Sequence, residues 1–237
     1  MGLAATVSSR GALQAYGSAS GTTVLSGAVE YALSGGILNA SHIAGFENIF
    51  AGGSAVSTTL NSGGNAIVFS GGADIAAHVN SGGMEVIFSG GIASAAIISG
   101  GTIEVHSGGS TGSGQANPVT FASSGGGTLL LLDSVSYGGF VAGFGQPDFI
   151  DLRDIAFGGS TSVTYSSGNP GNTSGTLIVT DGAHTANINL LGQYTVAQFL
   201  SERRSWRHAD RRSPRIGSDR HRGCCDCGFA SRLSALG

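Results

Sequence analysis

Three carboxylates stand within seven residues, at Asp148, Asp151 and Asp154. Calcium takes oxygen clusters of that density. On one extended strand, however, Asp148 and Asp151 face opposite sides, so a structural role at a turn or cap is the expectation. Cys224, Cys225 and Cys227, downstream of His208 and His221, invite a zinc or redox reading. Zinc needs about four ligands, usually as two pairs, and here the second cysteine pair is missing. His42, His78, His106 and His184 are scattered, each expected at the surface or at the end of a core rather than as a base. No Ser-His-Asp arrangement, nucleophile elbow or phosphate-cradling loop is visible. No catalytic, cofactor-binding or metal-ligating residue is nominated, no cofactor is expected, and the chain reads as a non-enzyme.

The elements that would have to position such groups are dominated by glycine. The chain has 42 Gly in 237 residues, 11% charged residues, 7% aromatics and no Lys, yet it is 41% hydrophobic, mostly through small and β-branched types. That is too apolar for a disordered chain and favours many short strands with tight turns. No apolar run is long enough for a transmembrane helix. The first residues lack the basic-then-apolar pattern of a signal peptide. They begin in mid-pattern, as though cut from something longer.

Charge divides the chain. Residues 1–200 hold ten acids against Arg10 and Arg153, whereas residues 201–237 hold four acids against nine Arg, with every Cys and the single Trp206. So abrupt a shift marks a boundary near residue 200. The Arg-rich tail has no aromatic interleaving or groove-fitting motif, so nucleic acid is not an expected partner.

The strongest signal is a repeat. Gly pairs recur at Gly35-Gly36, Gly52-Gly53, Gly63-Gly64, Gly71-Gly72, Gly82-Gly83, Gly90-Gly91, Gly100-Gly101 and Gly108-Gly109. From Gly52 the steps run 11, 8, 11, 8, 10 and 8, giving a unit of 18 or 19 residues in a long and a short half. A Gly pair allows positive φ and a sharp corner. Two strands and two corners per unit would make one coil of a solenoid, stacked on the next at ~4.8 Å. About five such coils fit before residue 116. The repeats lack the Asp-bearing nonapeptide of calcium-binding β-rolls. Phe50, Phe69 and Phe88, two residues before successive short-half pairs, are expected as a ladder inside the coil. Glu30, Glu47 and Glu85, five residues before those pairs, are expected as an outward row of acids.

The runs VLSGAVEYALSGGILNASHIAG and NSGGNAIVFSGGADIAAHVNSGGMEVIFSGGIASAAIISGGTIEVHSGG resemble the Ser-Gly-Gly strand-loop-strand repeats of AIDA-type autotransporter adhesin passengers, over about residues 3–115. The resemblance implies an exported β-helix on or released from a Gram-negative cell, placed extracellularly or at the cell surface. It implies adhesion, aggregation or biofilm contact with host or bacterial surface glycans or proteins, with self-association as one form. It also implies Ser34, Ser62, Ser70, Ser81, Ser89, Ser99 and Ser107 as O-glycosylation acceptors. Two other readings stand beside it: a spacer stalk, and a β-helix polysaccharide lyase or glycosidase. Against the last, residues 11–116 contain five acids and no Arg or Lys, a poor inventory for holding and cleaving acidic sugars.

Residues 117–200 keep β character but lose the Gly-pair rhythm. TLLLL at 128–132 reads as a buried strand, and the stretch around Asn169-Pro170-Gly171 reads as a hairpin. The segment resembles the C-terminal part of large secreted bacterial repeat proteins and is expected to cap the solenoid. Such segments continue with a phrase close to Ser-Asp-Gly-His-Gly-Gly-Thr-Leu-Ile-x-Asp-Pro. Glu202 to Gly217, back-translated with permitted codons and read one nucleotide on, yields nearly that phrase. The tail is therefore expected to be out of frame and disordered. The predicted fold is all-β: a β-solenoid of about five coils over 1–116, a β-rich cap over 117–200, and the tail over 201–237.

Overall fold

The computed structural model describes residues 4–203 and 230–235. Its fold is a parallel β-solenoid closed at one end by antiparallel strands. The second sheet shows the stacking best. Its parallel strands are Ala12–Ala15, Val29–Ala32, Phe46–Ile49, Asn65–Val68, Met84–Ile87, Thr102–Val105, Thr128–Leu131 and Phe149–Ala156, one per coil, which makes eight coils. The first sheet runs beside it from Thr6–Val7 to Phe140–Ala142, and a third sheet of five short strands runs from Ser18–Ser20 to Ile92–Ser94.

Each of the first five coils therefore has three strands and three corners, where the Gly rhythm predicts two. The two Gly-pair corners work by a division of labour. The first Gly takes positive φ, +74° at Gly52 and +76° at Gly71, a region costly for L-residues. The second lies so close to the coil beneath that a Cβ on Gly72 would meet the Ile49 carbonyl oxygen at 2.4 Å. The third corner carries no Gly pair. Ala40, Ser57, Ala76 and Ala95 turn it with φ of 51–58°. Their amides are held by the next coil, as when Ala76 N donates to Ser94 O at 2.8 Å. Inter-coil hydrogen bonds offset the strain of a small side chain in the left-handed region.

The solenoid does not stop at residue 116. Thr102 pairs with Thr128, and Thr128 with Phe149. The coil length rises from 17–19 residues to 26 and then 21 as the loops lengthen, and this erases the Gly rhythm while the strands keep stacking. The expected buried strand is Thr128–Leu131, and the expected hairpin pairs Ser162–Ser167 with Ser174–Thr180.

Antiparallel strands end the rod. On the first sheet, Thr185–Leu191 adds parallel to Phe140–Ala142 and carries that hairpin. On the second, Ala230–Ala235 pairs antiparallel with Phe149–Ala156 and with Phe199–Arg203. The expected disordered tail is thus corrected at 201–203 and 230–235, which are strands: open backbone edges at the solenoid end take up a partner strand. The remainder of that tail, residues 204–229, lies outside the described residues.

The interior is narrow and mostly aliphatic, with a few buried acids and hydroxyls. Columns such as Val24, Ile43, Leu60 and Val79, and Ala32, Ile49, Val68 and Ile87, are fully buried one above another. Burial of such side chains is the main favourable term here, at roughly 25 cal/mol per Å² of apolar surface.

Candidate contact surface

Parity along the second sheet decides what the rod shows to its surroundings. In VEYAL, Glu30 and Ala32 point in, whereas Val29, Tyr31 and Leu33 point out; FENIF and MEVIF follow the same rule. The aromatic ladder is therefore on the outside and the acids are inside, the reverse of the expectation. The coil is too narrow for a ring on every turn, and its inward positions hold Ala, Val and Ile instead.

Outside, the rings stack along the rod. Tyr31 and Phe50 lie 6.1 Å apart, Phe50 and Phe69 4.8 Å with planes 3° apart, and Phe69 and Phe88 5.7 Å. His106 closes the row, tilted against Phe88 at 4.5 Å. The ladder residues are half-buried by one another, while Phe46 on the same face is 46% exposed. With Val29, Asn48, Asn65, Ile67, Met84 and Val86, they give an outward face, mostly apolar and without a charged side chain, from coil 2 to coil 5. The first charged group on it is Glu104, whose Oε1 lies 2.7 Å from His106 Nε2.

Beside that pair, a notch of about 270 Å³ opens where the third sheet ends, lined by His106, Asp133, Ser136 and Tyr137 among others. Several of its polar groups are already engaged. Ser107 Oγ donates to Asp133 at 2.7 Å, and Thr111 and Tyr137 hydroxyls meet at 2.8 Å. Ser107 holds the Asp133 carboxyl below its ordinary value, and burial pushes the Tyr137 phenol up to about 12.

Of the seven Ser positions, Ser34, Ser62, Ser70, Ser81, Ser89 and Ser107 are exposed at the Gly-pair corners, and Ser99 is half-buried. They form rows along two edges of the rod.

The three clustered aspartates are held by the chain itself. Asp148 accepts from the Gly127 and Gly145 amides, both at 3.0 Å. Asp151 lies 3.3 Å from Arg153 Nε. Asp154 accepts from Ser134 Oγ at 2.5 Å and from the Val135 amide at 3.1 Å. Burial raises the pKa of Asp148 and Asp151, with those partners offsetting part of the effect. Among the described residues no group of three or more His, Cys, Asp or Glu is arranged to hold a metal. His42 and His78 sit on outward, exposed positions of the first sheet, and His184 is exposed beside Asp181 in the cap. Cys224, Cys225, Cys227, Trp206, His208 and His221 lie outside the described residues.

Sequence reasoning missed Asp74. It projects into the rod from the third sheet and is buried. Only its place in ADIAA, a third-corner segment without a Gly pair, marks it in the sequence. Among the described residues no helix is long and apolar enough to cross a membrane.

No family model and no curated protein matches the chain. Among solved structures it is similar to a TibC-catalysed, hyper-glycosylated TibA55-350 fragment, at 32% identity and a TM-score of 0.37, over 55% of this chain. It spans 59% of that fragment's length.

Proposed function

We propose that this chain is an adhesin-like rod, displayed on or secreted from a Gram-negative cell, that makes contacts through the outer face of its second sheet and is not an enzyme. The uncharged, aromatic-lined outer face from Val29 to Phe88 carries this reading. Soluble rods rarely leave contiguous apolar surface open unless it meets a partner. Rings fixed by stacking lose little entropy on contact. Repetition along the rod makes weak contacts add through effective concentration. The partners on this reading are surface glycans or proteins and further copies of the rod. The exposed serine rows at the corners suit O-glycosylation, and their flanking place leaves the aromatic face clear.

The full chain, incubated with polysaccharides and cell surfaces, tests the reading when retained protein and new reducing ends are scored together. Retention without cleavage is expected. New reducing ends would replace the adhesin with a β-helix lyase or hydrolase, for which Glu104 and His106 would be the first pair to substitute. Neither retention nor cleavage would leave a spacer stalk.

A further inference from the structure

The interior of the rod contains a file of acids. Coil 2 contributes Glu30, coil 3 Glu47, coil 4 Asp74 and coil 5 Glu85, each at most 1% exposed. The first, second and fourth come from the second sheet. At coil 4 that sheet supplies Ala66, and the acid comes from the third sheet instead. Volume is traded in step: Ala55 and Ala93 flank Asp74 in the third sheet, on the coils that carry Glu47 and Glu85. One carboxyl per coil is thus kept through four consecutive coils, at the ~4.8 Å rise of the stack.

Hydroxyls serve only the upper part of the file. Thr22 Oγ1 donates to Glu30 Oε2 at 2.6 Å and lies 2.7 Å from Ser41 Oγ, and Thr58 Oγ1 reaches both Glu47 oxygens at 3.1 and 3.2 Å. In the next coils the first sheet places Ala77 and Ala96 at the equivalent inward positions. No protein N–H or hydroxyl makes a well-formed hydrogen bond to either oxygen of Asp74 or of Glu85; the Ile75 amide faces Asp74 and offsets only part of the cost of its burial. Their carboxyls meet one another, and Glu47 meets Glu30. No base faces them: residues 11–152 contain no Lys or Arg, and the nearby His42 and His78 point outward. An isolated buried carboxylate is too costly to keep charged, and two in contact cannot both ionise.

We propose that protons are the counterions of this file: Glu47, Asp74 and Glu85 are neutral, hydrogen-bonded acids in the folded rod, and coils 3–5 loosen as rising pH strips them. The rod is consequently firm in acid and yielding in alkali, a built-in response to the acidity around it that is independent of the adhesin reading.

The test is thermal melting of the full chain from about pH 5 to about pH 8.5, with infrared detection of neutral carboxyl groups. The wild type is expected to lose about 5 °C or more across that window. The double variant Asp74→Asn/Glu85→Gln is expected to lose clearly less. Asp148 and Asp151 titrate in the same direction, so the difference between the two profiles is the reading. The folded wild type at neutral pH is expected to show a neutral-carboxyl band that disappears on unfolding. Parallel profiles, no such band, or restoration of alkaline stability by calcium or magnesium would overturn the proposal. Should the double variant fail to fold, the wild-type band decides alone.

Discussion

Phe50 and Phe69 lie face to face outside the rod with ring centroids 4.8 Å apart and planes within 3°, so the rise of the solenoid itself sets their stacking distance. The inward residues beneath them, Ile49 and Val68, stack in the same register in the interior. One register thus builds both a core and an outer aromatic row. Each ring contact is worth about 0.5–1.5 kcal/mol beyond area burial. Phe69→Ser removes two of them and is expected to cost about 1–3 kcal/mol, measured by urea unfolding. Val68→Ala, which opens a cavity in the core, is expected to cost a similar amount but to leave surface contacts intact.

The Gly corners separate two kinds of requirement. Gly71→Ala meets the positive-φ penalty of about 1–2 kcal/mol and a tight contact with Ala51, whose Cβ lies 3.1 Å from the added methyl. Gly72→Ala drives a Cβ to 2.4 Å from the Ile49 carbonyl oxygen and is expected to cost more, through displaced inter-coil hydrogen bonds. Ala76→Gly has the opposite sign. Relief of the left-handed strain at φ 58° exceeds the entropy lost by Gly, for a net gain of about 0.5–1 kcal/mol. Thermal midpoints of the three variants should fall from Ala76→Gly through Gly71→Ala to Gly72→Ala.

Acid stability has a counter-example in the cap. Asp181 accepts amides from Ala156 at 2.9 Å, Ala183 at 2.8 Å and His184 at 2.7 Å, and these bonds hold its pKa well below the ordinary range. A lowered carboxyl pKa adds stability that is present above the unfolded value near 4 and is lost as pH falls through the folded value. Asp181→Asn is therefore expected to lower the melting point at neutral pH, and the gap to the wild type should close in acid. The interior acids have the opposite sign. Burial holds Glu47 and Glu85 well above their ordinary values and Asp74 at about 7. Their contribution is complete below the unfolded value near 4 and is lost as pH rises through each raised folded value, which for Asp74 is about 7.

Asp148 ties two loops of the last coils together. Asp148→Ala leaves the Gly127 and Gly145 amides without their acceptor, at a cost of about 1–3 kcal/mol each where water cannot reach. Added calcium is expected to leave the wild-type melting point unchanged, because the protein's own donors already hold this carboxylate.

The period of the coil, its Gly corners, the all-β class and the hairpin around Asn169 were legible because each is written in residue type at fixed spacing. The third corner was not, since Ala40, Ala76 and Ala95 do not look like turn residues; inter-coil backbone bonds impose their left-handed geometry. The in-out assignment failed for a different reason. Aromatic residues suggest a core and acids a surface, but the bore of a three-stranded coil is set by its smallest recurring column, and the run Ala32, Ile49, Val68, Ile87 marks the inward parity. The Gly rhythm also ended before the solenoid did, because longer loops between 102 and 149 hide coils that only strand pairing reveals.

The central claim is that the uncharged outer face of the second sheet makes the contacts. The most direct measurement compares retention on the best-binding surface for the wild type and for Phe46→Ser/Phe69→Ser/Phe88→Ser, with the melting point recorded for both. The account predicts that retention falls at least about tenfold, or about 1.4 kcal/mol, while the variant remains folded at the assay temperature. Undiminished retention by a folded variant would contradict it.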